Sequence, residues 1–279
     1  MTHAFKKILI VGKHDDPRVA EPFELLTAHL GKAGVQLLER TNVAKADLII
    51  AIGGDGTMLY ASRLSGEAGT PILGINRGRL GFLADVTPDE MIASVDSVLA
   101  GKYSVDSRLL LETRLTRPAD DDVVTYALND VVLQRSDTGR MVDFVTRIGG
   151  QFVNTHSGDG LIVATPTGST AYALSCGGPI IEPQLDAVVI VPICPHTLTD
   201  RPIVVSADRP VEVVLLERDD TKAEITVDGF PMGSITPEHR LLISAAKSRV
   251  TLVHPPGYDF YEILRSKLFW GRDNRKRDI

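Results

Sequence analysis

From Lys7 to about residue 100, short unbroken apolar runs alternate with stretches whose apolar residues recur every three or four positions. Lys7 to Val11 is such a run and predicts a buried strand. A polar loop follows, then a helix from about Pro17 to Ala33, with Phe23, Leu26 and Leu30 on one face. Asp47 to Ile52 predicts a second buried strand that runs straight into Gly53-Gly54-Asp55-Gly56-Thr57. A helix over about Thr57 to Ser65, a strand over Pro71 to Ile75 and an amphipathic helix over Pro88 to Ala100 complete this part. Gly101 stands where a glycine is expected to end a helix. Strands alternating with helices predict a parallel sheet covered on both faces.

After residue 102 the pattern changes. Leu109 to Leu115, Val123 to Leu133, Val142 to Ile148, Leu161 to Val163 and Ala187 to Val191 are short β-rich runs separated by turn residues. Val211 to Leu216, Ala223 to Val227 and Val250 to Val253 continue the series. This spacing predicts a mainly antiparallel β-sandwich with one helix inside it, starting near Ser169. Beyond the breaker Pro255-Pro256-Gly257, Tyr261 to Trp270 reads as a helix returning to the first domain. The expected division is an α/β nucleotide-binding domain over 1–101, joined by about 258–279, and a β-rich domain over 102–257. The charged tail Arg272 to Ile279 is expected to be mobile.

Composition narrows the function. Of the 279 residues 43% are hydrophobic and 24% charged, as in an ordinary globular protein, and the net charge is −6. A duplex nucleic-acid binder would carry a basic surplus, so no nucleic-acid partner is expected. No segment has the length to span a bilayer, and Ile8 to Val11 is too short for a signal peptide, so a cytoplasmic protein without a membrane partner is expected. Cys176 and Cys194 are too few and too far apart for a disulfide framework or a zinc cluster.

The candidate chemistry begins at the glycine turn. In an open parallel sheet, ligands bind beyond the carboxyl ends of the strands, and Gly53 to Thr57 sits at such an end. Glycines let the backbone approach a ligand closely, and the amides that open the next helix suit phosphate. Asp55 is anomalous among phosphate-binding amides unless it holds a metal or accepts a proton from an attacking hydroxyl. The blander reading is a tight turn with Asp55 as a solvated cap. The segment lacks the lysine of a P-loop and the spacing of the dinucleotide fingerprint. A second cluster runs from Ser157-Gly158-Asp159-Gly160 through a short strand to Thr165-Pro166-Thr167-Gly168-Ser169-Thr170-Ala171-Tyr172. Small residues, hydroxyls and free amides there suit a flat ligand with ribose and amide groups.

Gly53 to Thr57 resembles the signature shared by NAD kinases, diacylglycerol kinases and sphingosine kinases, with a related form in 6-phosphofructokinases. The Ser157 to Tyr172 cluster is similar to the long second motif of bacterial NAD kinases. Gly74 to Gly78, Leu80-Gly81-Phe82-Leu83, Leu128-Asn129-Asp130, Pro195 to Leu198 and Arg201-Pro202-Ile203 also follow that family's patterns, in its order. The resemblance covers about residues 7 to 270. It implies transfer of the γ-phosphoryl of ATP to the adenosine ribose 2′-hydroxyl of NAD, with Asp55 as catalytic base. Gly56, Phe82, Asn129, Asp130, Asp159, Thr167, Thr170, Ala171 and Tyr172 would line the NAD site. Gly54, Gly56, Thr57, Asn76 and Arg77 would lie near the phosphates. Mg²⁺ would arrive with ATP, no tightly bound metal is expected, and the resemblance implies a homodimer or homotetramer. Two positions depart from the family: Asp130 replaces its usual glutamate, and Phe230 stands where a polar residue is common. The choice between NAD⁺ and NADH stays open on this ground.

Other residues have competing readings. His156 and His196 could touch phosphates or a metal, but lack partners at ligand spacing and read as structural. Lys13 could touch a phosphate or be a solvated loop residue. Arg77 and Arg79 are stronger candidates because they flank Gly78 at a strand's carboxyl end. Cys176 reads as a packing residue. Tyr258, Phe260, Tyr261, Phe269 and Trp270 read as a packing seam. Two rivals remain: a lipid or sugar kinase sharing only the glycine turn, and a non-catalytic dinucleotide sensor, against which the presence of Asp55 argues.

Overall fold

The computed structural model describes residues 4–13, 15–78, 81–118, 120–136, 141–217 and 221–270. The chain forms two compact units, residues 1–106 with 250–279, and residues 107–249. Arg79, Leu80 and the tail from Arg272 lie outside the described residues.

The first unit starts with β1 (Lys7–Gly12) and α1 (Pro17–Lys32), followed by β2 (Gln36–Leu38) and β3 (Leu48–Ile52). Next come α2 (Asp55–Ser65), β4 (Ile72–Ile75) and α3 (Met91–Leu99). The strand order is β2-β1-β3-β4, and every pairing is parallel. Each residue of β3 and β4 is buried, which is why both read as continuous apolar runs instead of alternating ones. Leu26 and Leu30 of α1 and Val95 and Val98 of α3 share a core with Ile8, Ile50 and Leu73. Gly101 ends α3 as the sequence suggests: its φ is +80°, and its amide bonds to Val98 O at 3.0 Å. The three-residue edge strand β2 has no sequence signal because it is short and partly exposed.

The second unit contains β5 (Ser104–Thr116), β6 (Val123–Ala127), β7 (Asp130–Arg135), β8 (Val142–Ile148), β9 (Gln151–Gly158) and β10 (Gly160–Ala164). The one-turn α4 (Tyr172–Ser175) precedes β11 (Ala187–Ile193), β12 (Ile203–Ser206), β13 (Val211–Leu215), β14 (Ala223–Val227), β15 (Phe230–Ile235) and β16 (Arg240–His254). One antiparallel sheet has the order β12-β11-β10-β7-β14-β15. In the other layer β13 pairs with β16 and β8, β8 pairs with β9, and β5 pairs with β6. Alternate residues of the layers, among them Leu133, Phe144, Leu161, Val213 and Ile225, form one core.

The run Val123 to Leu133 is two strands, not one. β6 pairs with β5, whereas β7 pairs with β10 and β14, so the chain changes sheets at Leu128-Asn129. The physical cause is a side chain. The Asp228 carboxylate takes the amides of Leu128, Asn129 and Asp130.

The final strand β16 brings the chain back to the first unit, where Leu252 pairs with Ile72 in parallel. α5 (Phe260–Leu268) then returns to that unit, as expected. Asp259 caps it, accepting from the Tyr261 and Glu262 amides at 2.8 and 3.2 Å. Its Lys267 ammonium lies 5.8 Å from the Phe82 ring centroid. No described helix is long and apolar enough to cross a membrane.

Candidate functional site

The glycine turn joins β3 to α2, and Asp55 is the first residue of that helix, two earlier than the hydrophobic pattern suggests. Gly54 occupies the cap position in extended backbone, and its carbonyl accepts from the Thr57 and Met58 amides at 2.8 and 3.3 Å. Asp55 does not cap its own helix. Its Oδ1 accepts from the Leu83 amide at 3.0 Å and its Oδ2 from the Phe82 amide at 3.2 Å. A β-carbon at Gly81 would lie 2.4 Å from Asp55 Oδ1, so residue 81 has to be glycine for that approach. Two amides therefore fix the plane of the carboxylate while each oxygen keeps a free lone pair. Gly56 is exposed and Thr57 half-buried.

At the end of β4, Asn76 is fully buried. Its Oδ1 accepts from the Gly78 amide at 2.7 Å, but its Nδ2 is buried without a partner. Such orphan donors are uncommon in folded proteins and call for an explanation. Arg77 is already engaged: its Nη1 lies 3.0 Å from Asp16 Oδ2. Arg18 also bonds Asp16 and lowers that carboxyl to about 2. In the first unit, Asp55, Phe82 and the turn are thus brought together by hydrogen bonds, while Arg77 turns to Asp16.

In the second unit, the Thr165 to Tyr172 segment packs against the Leu128-Asn129 bend. The Thr165 amide bonds to Asn129 O at 2.9 Å, and Thr165 Oγ1 donates to Leu128 O at 2.5 Å. A β-carbon at Gly168 would lie 2.1 Å from Asn129 O, so the backbones touch. Thr167 Oγ1 accepts from Arg108 Nη1 at 3.2 Å, and Thr170 Oγ1 donates to Thr167 O at 3.2 Å. Ser169 is fully buried and accepts from the Ile181 amide at 3.0 Å. Ala171 is half-buried, whereas the Tyr172 ring is exposed. Asp159 lies 2.9 Å from Arg135 Nε. The Asn129 Oδ1 is buried without a partner.

Asp130 is 6% exposed. Burial, and then the Asp228 carboxylate nearby, push it up to about 7. Asp228 itself is buried and adopts a positive φ of 52° beside Gly229. Neither Asp228 nor Arg108 is marked as part of the site by any motif in the sequence. The available signal for Asp228 was the Asp-Gly pair between two alternating strands, which marks a tight hairpin.

Three further groups are settled by packing. His156 Nδ1 lies 3.0 Å from Asp200 Oδ2 and its ring stacks on Phe144, so it has a structural partner. His254 is buried in the first unit, with Nδ1 2.8 Å from Asp85 Oδ2 and Nε2 3.8 Å from Asp106 Oδ2. Burial works to lower His254, but Asp106 and Asp85 outweigh it and hold it above 6.5. Burial raises the Cys176 thiol, consistent with an unreactive side chain.

The N-terminal domain model of the ATP-NAD kinases matches residues 23–103, and the C-terminal domain model matches residues 128–255. The chain is 40% identical to the NAD kinase of Nitrosococcus oceani over 290 residues, covering 98% of this chain and 99% of that one. It is 46% identical to the NAD kinase of Azotobacter vinelandii over 249 residues, 89% of this chain and 83% of that one. Among solved structures, an NAD kinase from Archaeoglobus fulgidus in complex with ATP superposes with a TM-score of 0.71 at 26% identity, covering 94% and 96% of the two chains. Yeast NADH kinase complexed with NADH has the same fold, with a TM-score of 0.89 at 23% identity and coverage of 98% and 90%.

Proposed function

Since the chain belongs to the ATP-NAD kinase family and phosphorylates NAD to NADP at the expense of ATP, we propose that Asp55 is the base for that transfer. The observation that carries this role is the Asp55 carboxylate at the head of α2, oriented by the Phe82 and Leu83 amides. Asp55 accepts the proton of the adenosine ribose 2′-hydroxyl as that oxygen bonds to the γ-phosphorus. The bond from phosphorus to the β–γ bridging oxygen breaks, and ADP leaves. MgATP is the donor substrate, its Mg²⁺ neutralising charge on the phosphates. Amides at Gly54 and Gly56 suit the phosphates because they open an eleven-residue helix, and Thr57, whose amide is taken by Gly54 O, offers its hydroxyl instead. Asn76 supplies its unpaired Nδ2, and Arg77 divides its charge between Asp16 and a phosphate.

NAD is held by Asn129 and Asp130 at the sheet-switching bend, by Asp159, and by Thr167, Thr170, Ala171 and Tyr172 on the segment packed against it. Phe82 offers a ring to the same ligand. The orphan Asn129 Oδ1 supports this reading, because a ligand donor would complete it. Asp130 is one methylene shorter than the family's usual glutamate, so its carboxylate reaches less far toward the ligand.

The protein acts as a cytoplasmic homodimer or homotetramer. Exposed Phe152 and Val153 on edge strand β9, and Val204 on edge strand β12, support association. Incubation of the pure protein with MgATP and NAD tests the reaction: NADP is the expected product, and folded protein yielding none refutes it.

A further inference from the structure

β14 and β15 are joined by the two-residue turn Asp228-Gly229, with Val227 paired to Phe230. The φ values of +52° and +76° place both turn residues in the left-handed region, as a tight hairpin of this type requires. Asparagine or glycine serves that turn as well as aspartate does. Turn geometry therefore does not account for a carboxylate at residue 228.

The carboxylate reaches across to the bend between β6 and β7. Its Oδ2 accepts from the Leu128 amide at 2.8 Å, and its Oδ1 accepts from Asn129 at 2.8 Å and Asp130 at 3.1 Å. The Asp228 amide returns a bond to Asp130 O at 2.9 Å. Three consecutive backbone donors converging on one anion form a concave anion cradle, here filled by the protein's own side chain. We propose that Asp228 is a positioning residue for NAD: its carboxylate sets the backbone at Leu128, Asn129 and Asp130 and so aims the Asn129 and Asp130 side chains at the dinucleotide. The proposal rests on the reading of Asn129 and Asp130 as NAD-binding residues.

The arrangement places two carboxylates close together, and Asp130 is the one that yields, its affinity for a proton raised by burial and by its neighbour. Asp228 stays the acceptor because three amides point at it. The three amides of the bend find their acceptor in this carboxylate and not in a neighbouring strand, since β6 leaves one sheet there and β7 enters the other. Thr165 supports the two carbonyls of the bend, and Asp228 holds its three amides. The two interactions are complementary halves of one clamp.

The test compares Asp228→Gly, which keeps the turn and removes the carboxylate, with Asp228→Asn, which keeps one acceptor oxygen, and with Asn129→Ala. For Asp228→Gly, KM for NAD rises on the order of tenfold or more while KM for ATP stays within about twofold, as expected when charge-assisted bonds are lost. Asp228→Asn gives an intermediate rise. In the wild type, KM for NAD changes across the pH range where Asp130 titrates, and in Asp228→Gly that inflection moves to lower pH because the like charge is gone. A purely structural turn residue would lower the melting temperature without splitting the two KM values or moving the inflection. An unchanged KM for NAD in Asp228→Gly, with Asn129→Ala raising it, overturns the clamp alone. An unchanged KM for NAD in Asn129→Ala overturns the site reading beneath it as well.

Discussion

Asp130→Asn should make the protein more stable at neutral and alkaline pH relative to wild type, and progressively less so in acid. The Asp130 carboxyl is pushed from 3.8 up to about 7, first by burial and then by Asp228. The shift of about three units corresponds to about 4 kcal/mol of differential interaction. Its sign follows from proton uptake. The folded state binds this proton more tightly than the unfolded chain, so the stabilisation is fully present below pH 3.8 and is lost as pH rises to about 7. Asparagine does not titrate and keeps an amide beside the Asp228 carboxylate. The stability difference, variant minus wild type, should therefore climb by about 1.4 kcal/mol per pH unit between about pH 4 and 7, then level off. Urea unfolding at half-unit steps from pH 4.5 to 8.5 measures it, with the midpoint converted through the m value. A difference that is flat across this window, or that falls with pH, refutes the assignment of a buried, near-neutral Asp130.

Other outcomes follow from close approaches and buried charges. Gly168→Ala places a β-carbon 2.1 Å from Asn129 O and must push the bend away, so KM for NAD should rise while KM for ATP changes little; equal effects on both would contradict the reading. His254→Leu leaves the buried Asp85 and Asp106 without their histidine partner and should cost roughly 3–5 kcal/mol at pH 6, measured by denaturant unfolding. Because His254 is held above 6.5 in the fold, that cost should be full below pH 6.5 and shrink as pH rises through the folded value. Val204→Lys on edge strand β12 should shift the light-scattering mass toward the monomer.

Much of the first unit is legible because burial on both faces leaves unbroken apolar runs. β1, β3 and β4 could be read to within a residue or two, as could α1 from Leu26 and Leu30. β9, with its exposed Gln151, Phe152 and Val153, carries no such run and left no signal. The fifteen-residue β16 was legible only at Val250 to Val253, because Lys247, Ser248 and Arg249 separate that run from the apolar Leu241 to Ile243 at its other end. The site divides in the same way. Asp55 is visible because glycines announce it, but its holders are the backbone amides of Phe82 and Leu83, and backbone donors have no letter in the sequence. Asn129 and Asp130 are visible as a motif, yet the break between β6 and β7 that presents them is made by Asp228, about a hundred residues later. Local periodicity reports burial along one element. It does not report which distant carboxylate will collect three amides.

The role of Asp55 is tested most directly by measuring two quantities on Asp55→Asn: NAD affinity by calorimetry, and turnover to NADP under saturating MgATP and NAD. Asparagine keeps the shape of the side chain and one acceptor for the Phe82 and Leu83 amides but cannot take the 2′-hydroxyl proton. NAD affinity within a few-fold of wild type, with kcat lower by on the order of 10²–10⁴, is the predicted result. A near-normal kcat would show that Asp55 is not the base.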